Sequence, residues 1–179
     1  MLGVVTLTVT VLPEMLRPVN LPAPLWLVSL ATAGMLGGIL LFALGHYAPG
    51  ALAAAQERFE FPILARILYG GITEEILLRW GLMTVLVWLL RLPRRGQGAP
   101  PPVHMWLAIL ASALLFGAGH LPAAAALVGE LTREIVAFVV GANTAFGILF
   151  GYLYWRYGLE AAMVAHGAAH ALSYVAGLL

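Results

Sequence analysis

Long apolar runs, separated by short stretches that contain Pro, Gly or Arg, constrain the fold of this chain more than any other feature of its sequence. A helix that crosses the hydrocarbon core of a bilayer needs about 20 predominantly apolar residues. Five runs of about that length are predicted as membrane spans, at 25–47, 63–90, 103–120, 135–155 and 159–179. The sequence therefore predicts an all-α, polytopic transmembrane bundle of about five to six helices, with residues 1–179 forming one integral membrane domain.

The composition agrees with a membrane environment and excludes several classes of function. Hydrophobic residues make up 62% of the chain and charged residues 9%, whereas soluble domains carry about 25% charged residues. A net charge of +1 without basic clusters gives no electrostatic footprint for nucleic acid. Because the chain contains no cysteine, it holds no disulfide, thiol nucleophile or cysteine-based zinc site. We expect membrane lipid as a partner and no nucleic acid.

The segment 1–62 differs in character from the rest of the chain. It is predicted to contain a short interfacial stretch at 1–12, the first span, and an amphipathic surface helix at 51–62. In the first span, Gly34 and Gly38 have the small-xxx-small spacing that lets helices approach closely. Gly147 and Gly151 have the same spacing in the fourth span.

Two further features predict breaks in the helices. The pair Gly70-Gly71 is expected to interrupt the second span, and Leu121-Pro122 to end the third span before an alanine-rich loop.

Short loops rich in Arg favour the cytoplasmic side of a membrane. That rule predicts a cytoplasmic location for Arg17, Arg91, Arg94, Arg95 and Arg156, and an opposite location for Arg58, Arg66 and Arg133 with their neighbouring glutamates.

Three charged residues lie where a span should be apolar. Glu74, Glu75 and Arg79 fall within six residues of the second span, and each charge costs about 2.5–3.5 kcal/mol at the centre of a bilayer on insertion scales. Glu75 and Arg79 are four residues apart, so their side chains share a helix face and can form an ion pair. Glu74 lies about 100° around the helix from Glu75. It is therefore predicted to remain unpaired and to face a wet cavity.

Histidines in the later spans converge on the same region. His120 ends the third span, and its predicted depth in the bilayer matches that of Glu74. His166 and His170 are four residues apart and project from one face of the fifth span. Asn143 in the fourth span is interpreted as forming a hydrogen bond between helices. His46 and His104 lie at the ends of spans, where exposure to solvent accounts for them.

This set of side chains suits hydrolysis. A carboxylate can accept a proton from water, a histidine can hold that water or protonate a leaving group, and paired imidazoles can donate to an oxyanion. Glu74, His120 and His166 also match the ligand types of a catalytic zinc site with an open position. The spans lack a His-Glu-x-x-His motif, so both mechanisms stay open at this point.

Three motifs in order resemble the CPBP family of intramembrane proteases, which comprises type II CAAX prenyl endopeptidases and bacteriocin-processing or self-immunity proteins. They are Glu-Glu-xxx-Arg at 74–79, Phe-xxx-His at 116–120 and His-xxx-polar at 166–170. Together these motifs cover a predicted catalytic core at 63–179. The resemblance implies an enzyme: a glutamate-type intramembrane endopeptidase that acts on a membrane-anchored or lipid-modified protein or peptide.

The resemblance also implies roles for individual residues. Glu74 would be the general base that activates water, and His120 would help to hold that water. His166 and His170 would stabilise the oxyanion, with Glu75, Arg79, Phe116 and Asn143 as supporting residues. The family usually has Asn or another small polar residue where this chain has His170, which makes its donor role less direct. No cofactor is implied, with zinc on Glu74, His120 and His166 as the alternative.

In its small size, the chain resembles bacterial members of this family that trim membrane-anchored tails during protein sorting. It implies C-terminal anchor processing in the inner or plasma membrane of a prokaryotic cell. A non-enzymatic transporter, proton-relay subunit or immunity scaffold is the alternative from another functional class, since Glu and His in spans also serve proton relays. That alternative predicts broken helices at paired positions in two halves of the chain, and the sequence contains no such repeat.

Overall fold

A computed structural model describes residues 23–59, 61–92 and 99–178, with side chains from residue 31 onward. The described residues form helices and no strand, which confirms the predicted all-α class. The predicted interfacial stretch at 1–12 lies outside the described residues. The helices are α1 (Ala23–His46), α2 (Gly50–Arg58), α3 (63–91), α4 (Pro102–Gly119), α5 (Leu121–Val128), α6 (Arg133–Tyr157) and α7 (Leu159–Ala176).

Helix α3 has an unusual backbone. It begins and ends as α-helix, at Ile63–Leu68 and Thr84–Arg91, and has the wider turns of a π-helix at Tyr69–Glu74 and Ile76–Met83. The predicted interruption at Gly70-Gly71 is wrong, because the helix continues through both glycines, which are buried. Because glycine has no side chain, α7 can pack closely against α3 at these two positions. This packing offsets the destabilising effect of glycine within a helix.

The alanine-rich loop predicted after Pro122 is also wrong. Residues Leu121–Val128 form α5, which follows α4 directly after His120. Pro122 lies within the first two positions of α5, where a missing N–H costs no hydrogen bond within the helix. Alanine has the highest intrinsic helix propensity, so the residues after Pro122 extend the helix that it starts.

Two helical stretches are by themselves long and apolar enough to cross a membrane among the described residues. They are Pro102–Val128, which joins α4 and α5, and Arg133–Tyr157, which is α6. A third span results if Ala31–His46 and Gly50–Arg58, which are bent by 107°, are counted together. Helix α3 carries five charged residues, and its crossing, like that of α7, remains a prediction from the sequence.

Small residues bring the helices of the bundle into close contact, as their spacing predicts. A Cβ built on Gly34 of α1 would lie 2.8 Å from the Cβ of Ala168 in α7, which leaves no room for a side chain at Gly34. A Cβ on Gly147 of α6 would lie 2.7 Å from the Cβ of Ala113 in α4. The central core, which includes Met83, Val87, Ile109, Phe150 and Tyr154, fills the space between α3, α4, α6 and α7.

A second, smaller core closes one end of the bundle. Leu52 of α2 packs with Ala124 of α5 and with Ile135 and Val139 of α6. The hydroxyl of Thr132 accepts a hydrogen bond of 3.3 Å from the backbone N–H of Ile135 and caps α6. This end of the bundle holds α2 and α5 beside His120, where α4 gives way to α5.

Candidate active site

Three helices bring the polar side chains of the predicted site together. Helix α3 supplies the two glutamates and the arginine of the first motif, the end of α4 supplies the second motif, and α7 supplies the two histidines. Contacts between these helices connect Glu74, Glu75, Arg79, Phe116, His120, His166 and His170. Residues far apart in the sequence therefore form one cluster.

The predicted ion pair between Glu75 and Arg79 is confirmed. Nε of Arg79 lies 3.1 Å from Oε2 of Glu75, and both side chains are fully buried. The angle of this contact is not that of a hydrogen bond, and no acceptor among the described residues is hydrogen-bonded to the guanidinium. The ring of Phe116 lies 5.3 Å from the guanidinium carbon of Arg79 and adds a cation–π contact.

His166 links the two glutamates. Its Nδ1 lies 2.8 Å from Oε1 of Glu75, a hydrogen bond in which the carboxylate accepts. Its Nε2 lies 4.0 Å from Oε2 of Glu74. The sequence predicts that Glu74 and Glu75 point in different directions, and they do, but one imidazole ring reaches both because its two nitrogens face opposite ways.

Glu74 faces a second histidine across a similar gap. Its Oε1 lies 3.8 Å from Nε2 of His120, which confirms that the two residues meet at one level. A separation of 3.8 Å is too long for a direct hydrogen bond and is within reach of one shared water molecule. The Glu74 side chain is 13% exposed and that of His120 is 32% exposed, so this gap opens to the surface of the protein.

The hydrogen bonds of the histidines indicate how a water molecule would be oriented. Nδ1 of His120 lies 2.9 Å from the carbonyl oxygen of Phe116. Because a carbonyl only accepts, Nδ1 carries a proton. When the ring is neutral, Nε2 therefore presents its lone pair towards Glu74. Two acceptors thus face each other across the gap. A water molecule can satisfy both by donating one hydrogen to each, which leaves its oxygen lone pairs free.

Aromatic stacking fixes the ring of His166. Phe150 stacks on it with ring centroids 4.3 Å apart and planes at 18°. His170 stacks at 5.0 Å and 23°. A Cβ built on Gly70 would lie 2.6 Å from Nε2 of His170 and 3.2 Å from Nε2 of His166, so only glycine leaves room for both rings.

The sequence does not identify Phe150 or Gly70 as residues of the site. Phe150 has no feature that separates it from other apolar residues of α6, and the sequence predicts only a helix break at Gly70. Asn143 forms a 2.8 Å hydrogen bond with the carbonyl oxygen of Val139 in its own helix. Its predicted hydrogen bond to another helix is therefore wrong, because the amide N–H donates to a carbonyl one turn earlier in the same helix.

The zinc alternative can be compared with the arrangement of the side chains. Within the described part of the chain, no three His or Glu side chains are arranged as a group that could hold a metal ion. The gaps from Glu74 to His120 and His166, 3.8 and 4.0 Å, exceed the separation of about 3.4 Å that zinc ligands at about 2.1 Å would have in a tetrahedron. The side chains would have to move closer to act as ligands.

Comparison with known proteins gives one match. Residues 56–172, well over half of the chain, match a family model described as type II CAAX prenyl endopeptidase Rce1-like. The matched region contains every residue of the cluster. No curated protein and no solved structure gives a significant match.

Proposed function

The chain belongs to the Rce1-like family of type II CAAX prenyl endopeptidases, and from this membership we propose that it is a glutamate-type intramembrane endopeptidase. Its substrate is a membrane-anchored or lipid-modified protein or peptide. One peptide bond of that substrate is hydrolysed by water that Glu74 activates. The observation that carries this proposal is the pair of 3.8 and 4.0 Å gaps between the Glu74 carboxylate and Nε2 of His120 and His166.

The geometry supports a sequence of chemical steps. A water molecule held between Glu74 and His120 gives a proton to the Glu74 carboxylate as its oxygen adds to the carbonyl carbon of the substrate. The resulting tetrahedral intermediate carries a negative charge on the former carbonyl oxygen. When the intermediate collapses, the carbon–nitrogen bond breaks and protonated Glu74 returns its proton to the leaving amine.

His166 and His170 are proposed to stabilise the negative oxygen. Since Nδ1 of His166 already donates to Glu75, Nε2 must carry a proton to donate to the oxyanion. Glu75 stabilises that imidazolium, in the way that a buried carboxylate supports the histidine of a catalytic triad. Arg79 in turn balances the charge of Glu75. The supporting residues therefore act on the chemistry through His166.

The first test replaces Glu74. We expect Glu74→Gln to lower kcat by about 10²–10⁴-fold, the usual effect of removing a general base, because glutamine cannot accept the proton of water. Cleavage of a prenylated CAAX peptide by the purified protein in lipid nanodiscs measures the effect. Glu57→Gln is the matched control, since Glu57 is exposed on α2. A normal rate for Glu74→Gln contradicts the assignment of the general base.

The same assay separates the zinc mechanism from the proposed one. A chelator abolishes cleavage if zinc on Glu74, His120 and His166 activates the water, and leaves the rate unchanged if Glu74 acts alone.

Processing of C-terminal anchors in a prokaryotic plasma membrane is proposed as the biological setting. A substrate encoded by a neighbouring gene would test it.

A further inference from the structure

A second cluster of side chains lies at the opposite end of α4 from His120. It consists of Trp106, near the start of α4, and of Tyr152, Trp155 and Arg156, near the end of α6. We call these four residues the aromatic–arginine cluster. The start of α4 contacts the end of α6 here, so the two helices are antiparallel. The proposed chemistry uses none of the four residues.

The three aromatic rings of this cluster pack directly on one another. The ring centroid of Trp106 lies 6.0 Å from that of Tyr152 and 5.9 Å from that of Trp155. The centroids of Tyr152 and Trp155 are 6.3 Å apart. These are distances of direct ring contact, so a quaternary ammonium group does not fit between the rings as it does in an aromatic cage. The cluster is therefore not a site for the choline group of a lipid.

The charge at the edge of the cluster is positive. Cζ of Arg156 lies 5.7 Å from the ring centroid of Trp155, a cation–π contact, and the Arg156 side chain is exposed. Glu160, in the first turn of α7, is the only acidic residue at this end of the bundle within the described ranges. No ion pair joins it to Arg156. The sequence predicts Arg94 and Arg95 on the same side of the membrane.

The polar atoms of the cluster are mainly hydrogen-bond donors. The indole N–H groups of Trp106 and Trp155 and the guanidinium of Arg156 can only donate, and the hydroxyl of Tyr152 can donate as well. Among the residues that the structure describes, none accepts a hydrogen bond from these groups. A ligand that satisfies them must supply acceptors and negative charge, as a phosphate group does.

An apolar strip leads from the cluster along α4. Leu110 and Leu114 follow Trp106 at intervals of four residues, and all three side chains are exposed. Residues four apart share a helix face, and eight residues of helix extend about 12 Å. Helix α4 belongs to a stretch that is long and apolar enough to cross a membrane. Trp and Tyr are enriched where such spans meet the membrane surface, so the strip runs from the surface towards the middle of the bilayer.

We propose that the aromatic–arginine cluster binds the headgroup of an anionic phospholipid, with an acyl chain along Leu110 and Leu114. Donors and positive charge at the membrane surface match the phosphate, and the apolar strip matches the chain below it. Phosphatidylcholine also carries a phosphate, but its choline group would place a second cation beside Arg156. The inference goes beyond the proposed function, because this lipid is a ligand that the protein does not cleave.

A comparison of two lipids with identical acyl chains tests the site. Phosphatidylglycerol or phosphatidylcholine is added in increasing amounts to the purified protein in detergent, and native mass spectrometry counts the bound lipid and gives a Kd for each. We expect phosphatidylglycerol to bind roughly tenfold more tightly, as one charged hydrogen-bonded contact implies. Arg156→Gln should reduce the ratio of the two Kd values to about one. Arg156→Lys should keep part of it, since lysine keeps the charge without the planar fork.

Arg133→Gln is the matched control. Arg133 is exposed at the other end of α6 and loses the same charge, so this variant should keep the preference for phosphatidylglycerol. Equal Kd values for the two lipids in the unmodified protein overturn the proposal. So does a preference that survives Arg156→Gln, or one that Arg133→Gln reduces as much as Arg156→Gln does.

Inorganic phosphate distinguishes a lipid site from a site for the free anion. At the concentration of the lipid it should not displace phosphatidylglycerol, because it has no acyl chain to contact the apolar strip. Displacement shows that the cluster binds the free anion and overturns the assignment of a lipid. The Glu74→Gln protein should keep the lipid preference, since Glu74 lies outside the cluster. The result is therefore independent of whether the proposed peptidase activity is found.

Discussion

At the scale of single residues, His166 connects the parts of the site that hold charge. One ring nitrogen contacts Glu75 at 2.8 Å and the other faces Glu74 at 4.0 Å. Phe150 stacks on the ring and is itself fully buried. The ring cannot rotate without breaking its hydrogen bond to Glu75 or its stacking on Phe150. His166 is therefore held with Nε2 directed at the place where the substrate carbonyl is proposed to react.

The Glu75–Arg79 pair leads to a prediction about stability. Arg79→Met should lower the free energy of unfolding by about 3–5 kcal/mol, because it removes the buried countercharge of Glu75 and leaves that carboxylate with only its hydrogen bond from His166. Adding Glu75→Gln should recover part of this loss, since the double variant has no buried charge at this position. The midpoint of thermal unfolding in detergent measures both effects.

Arg58→Met serves as the comparison, because Arg58 is exposed on α2 and exposed charges contribute little to stability. If Arg79→Met and Arg58→Met unfold at the same temperature, the buried pair does not stabilise the fold.

The residues that could be predicted from the sequence are those whose type conflicts with their surroundings. Glu74, Glu75 and Arg79 stand out in an apolar run because a charged side chain inside a bilayer is costly, and such residues are usually paired or functional. Phe150 and Gly70 could not be found in this way. Each has a common residue type for a membrane helix, and its role arises only when α3, α6 and α7 pack together.

At the scale of helices, the π turns of α3 distinguish it from the other segments. The hydroxyls of Thr73 and Thr84 donate 3.4 Å hydrogen bonds to the carbonyl oxygens of Leu68 and Arg79, five residues earlier in each case. These bonds lie near the two ends of the π-helical stretch. Wide turns of this kind occur frequently at functional sites, and here they lie where α3 meets both histidines of α7.

The contact between α3 and α7 leads to a prediction about packing. A Cβ on Gly71 would lie 3.0 Å from the Cα of Gly167, and backbone cannot move aside as a side chain can. Gly71→Ala should therefore separate the two helices and cost about 1–3 kcal/mol, as overpacking does. The midpoint of thermal unfolding should fall.

Gly81→Ala is the control in the same helix. Its Cβ would lie 3.4 Å from the carbonyl oxygen of Ile76, an ordinary contact. The midpoint should stay the same or rise, since alanine favours a helix more than glycine does. A similar midpoint for both variants contradicts the close approach of α3 and α7.

Helix existence could be predicted from the apolar runs, but breaks and bends could not. The pairs Gly70-Gly71 and Leu121-Pro122 both favour a break in an isolated chain. In the fold, α7 supports the first pair from outside α3. At the second pair, the proline starts α5 instead of ending helical structure. A neighbouring helix therefore decides the first position, whereas the second follows from the place of proline in the first turn of a helix.

At the scale of the whole molecule, the distribution of arginine predicts an orientation. The turn at Arg156 and the loop after Arg91 are predicted to be cytoplasmic, and the loop at Glu130 to face the opposite side. The chain has no native cysteine, so single cysteines can report on each side. Glu130→Cys should react with a membrane-impermeant maleimide on intact cells, and Glu160→Cys only after the cells are opened.

The reverse labelling pattern contradicts the predicted orientation. With the predicted orientation, Glu74 and His120 lie in the outer half of the bilayer, and substrates would reach them after export. With the reverse orientation, substrates would come from the cytoplasm, and the contacts of the site itself would be unchanged.

The wide turns of α3 also limit which insertions and deletions the chain can tolerate. Removal of one residue between Gly70 and Glu74 would turn every later side chain of α3 by about 100° relative to the earlier ones. Such a deletion would bring the backbone closer to an ordinary α-helix, yet it would separate the glutamates from the glycine that accommodates their histidines. The count of residues in this stretch is therefore as much a part of the site as the identity of any side chain.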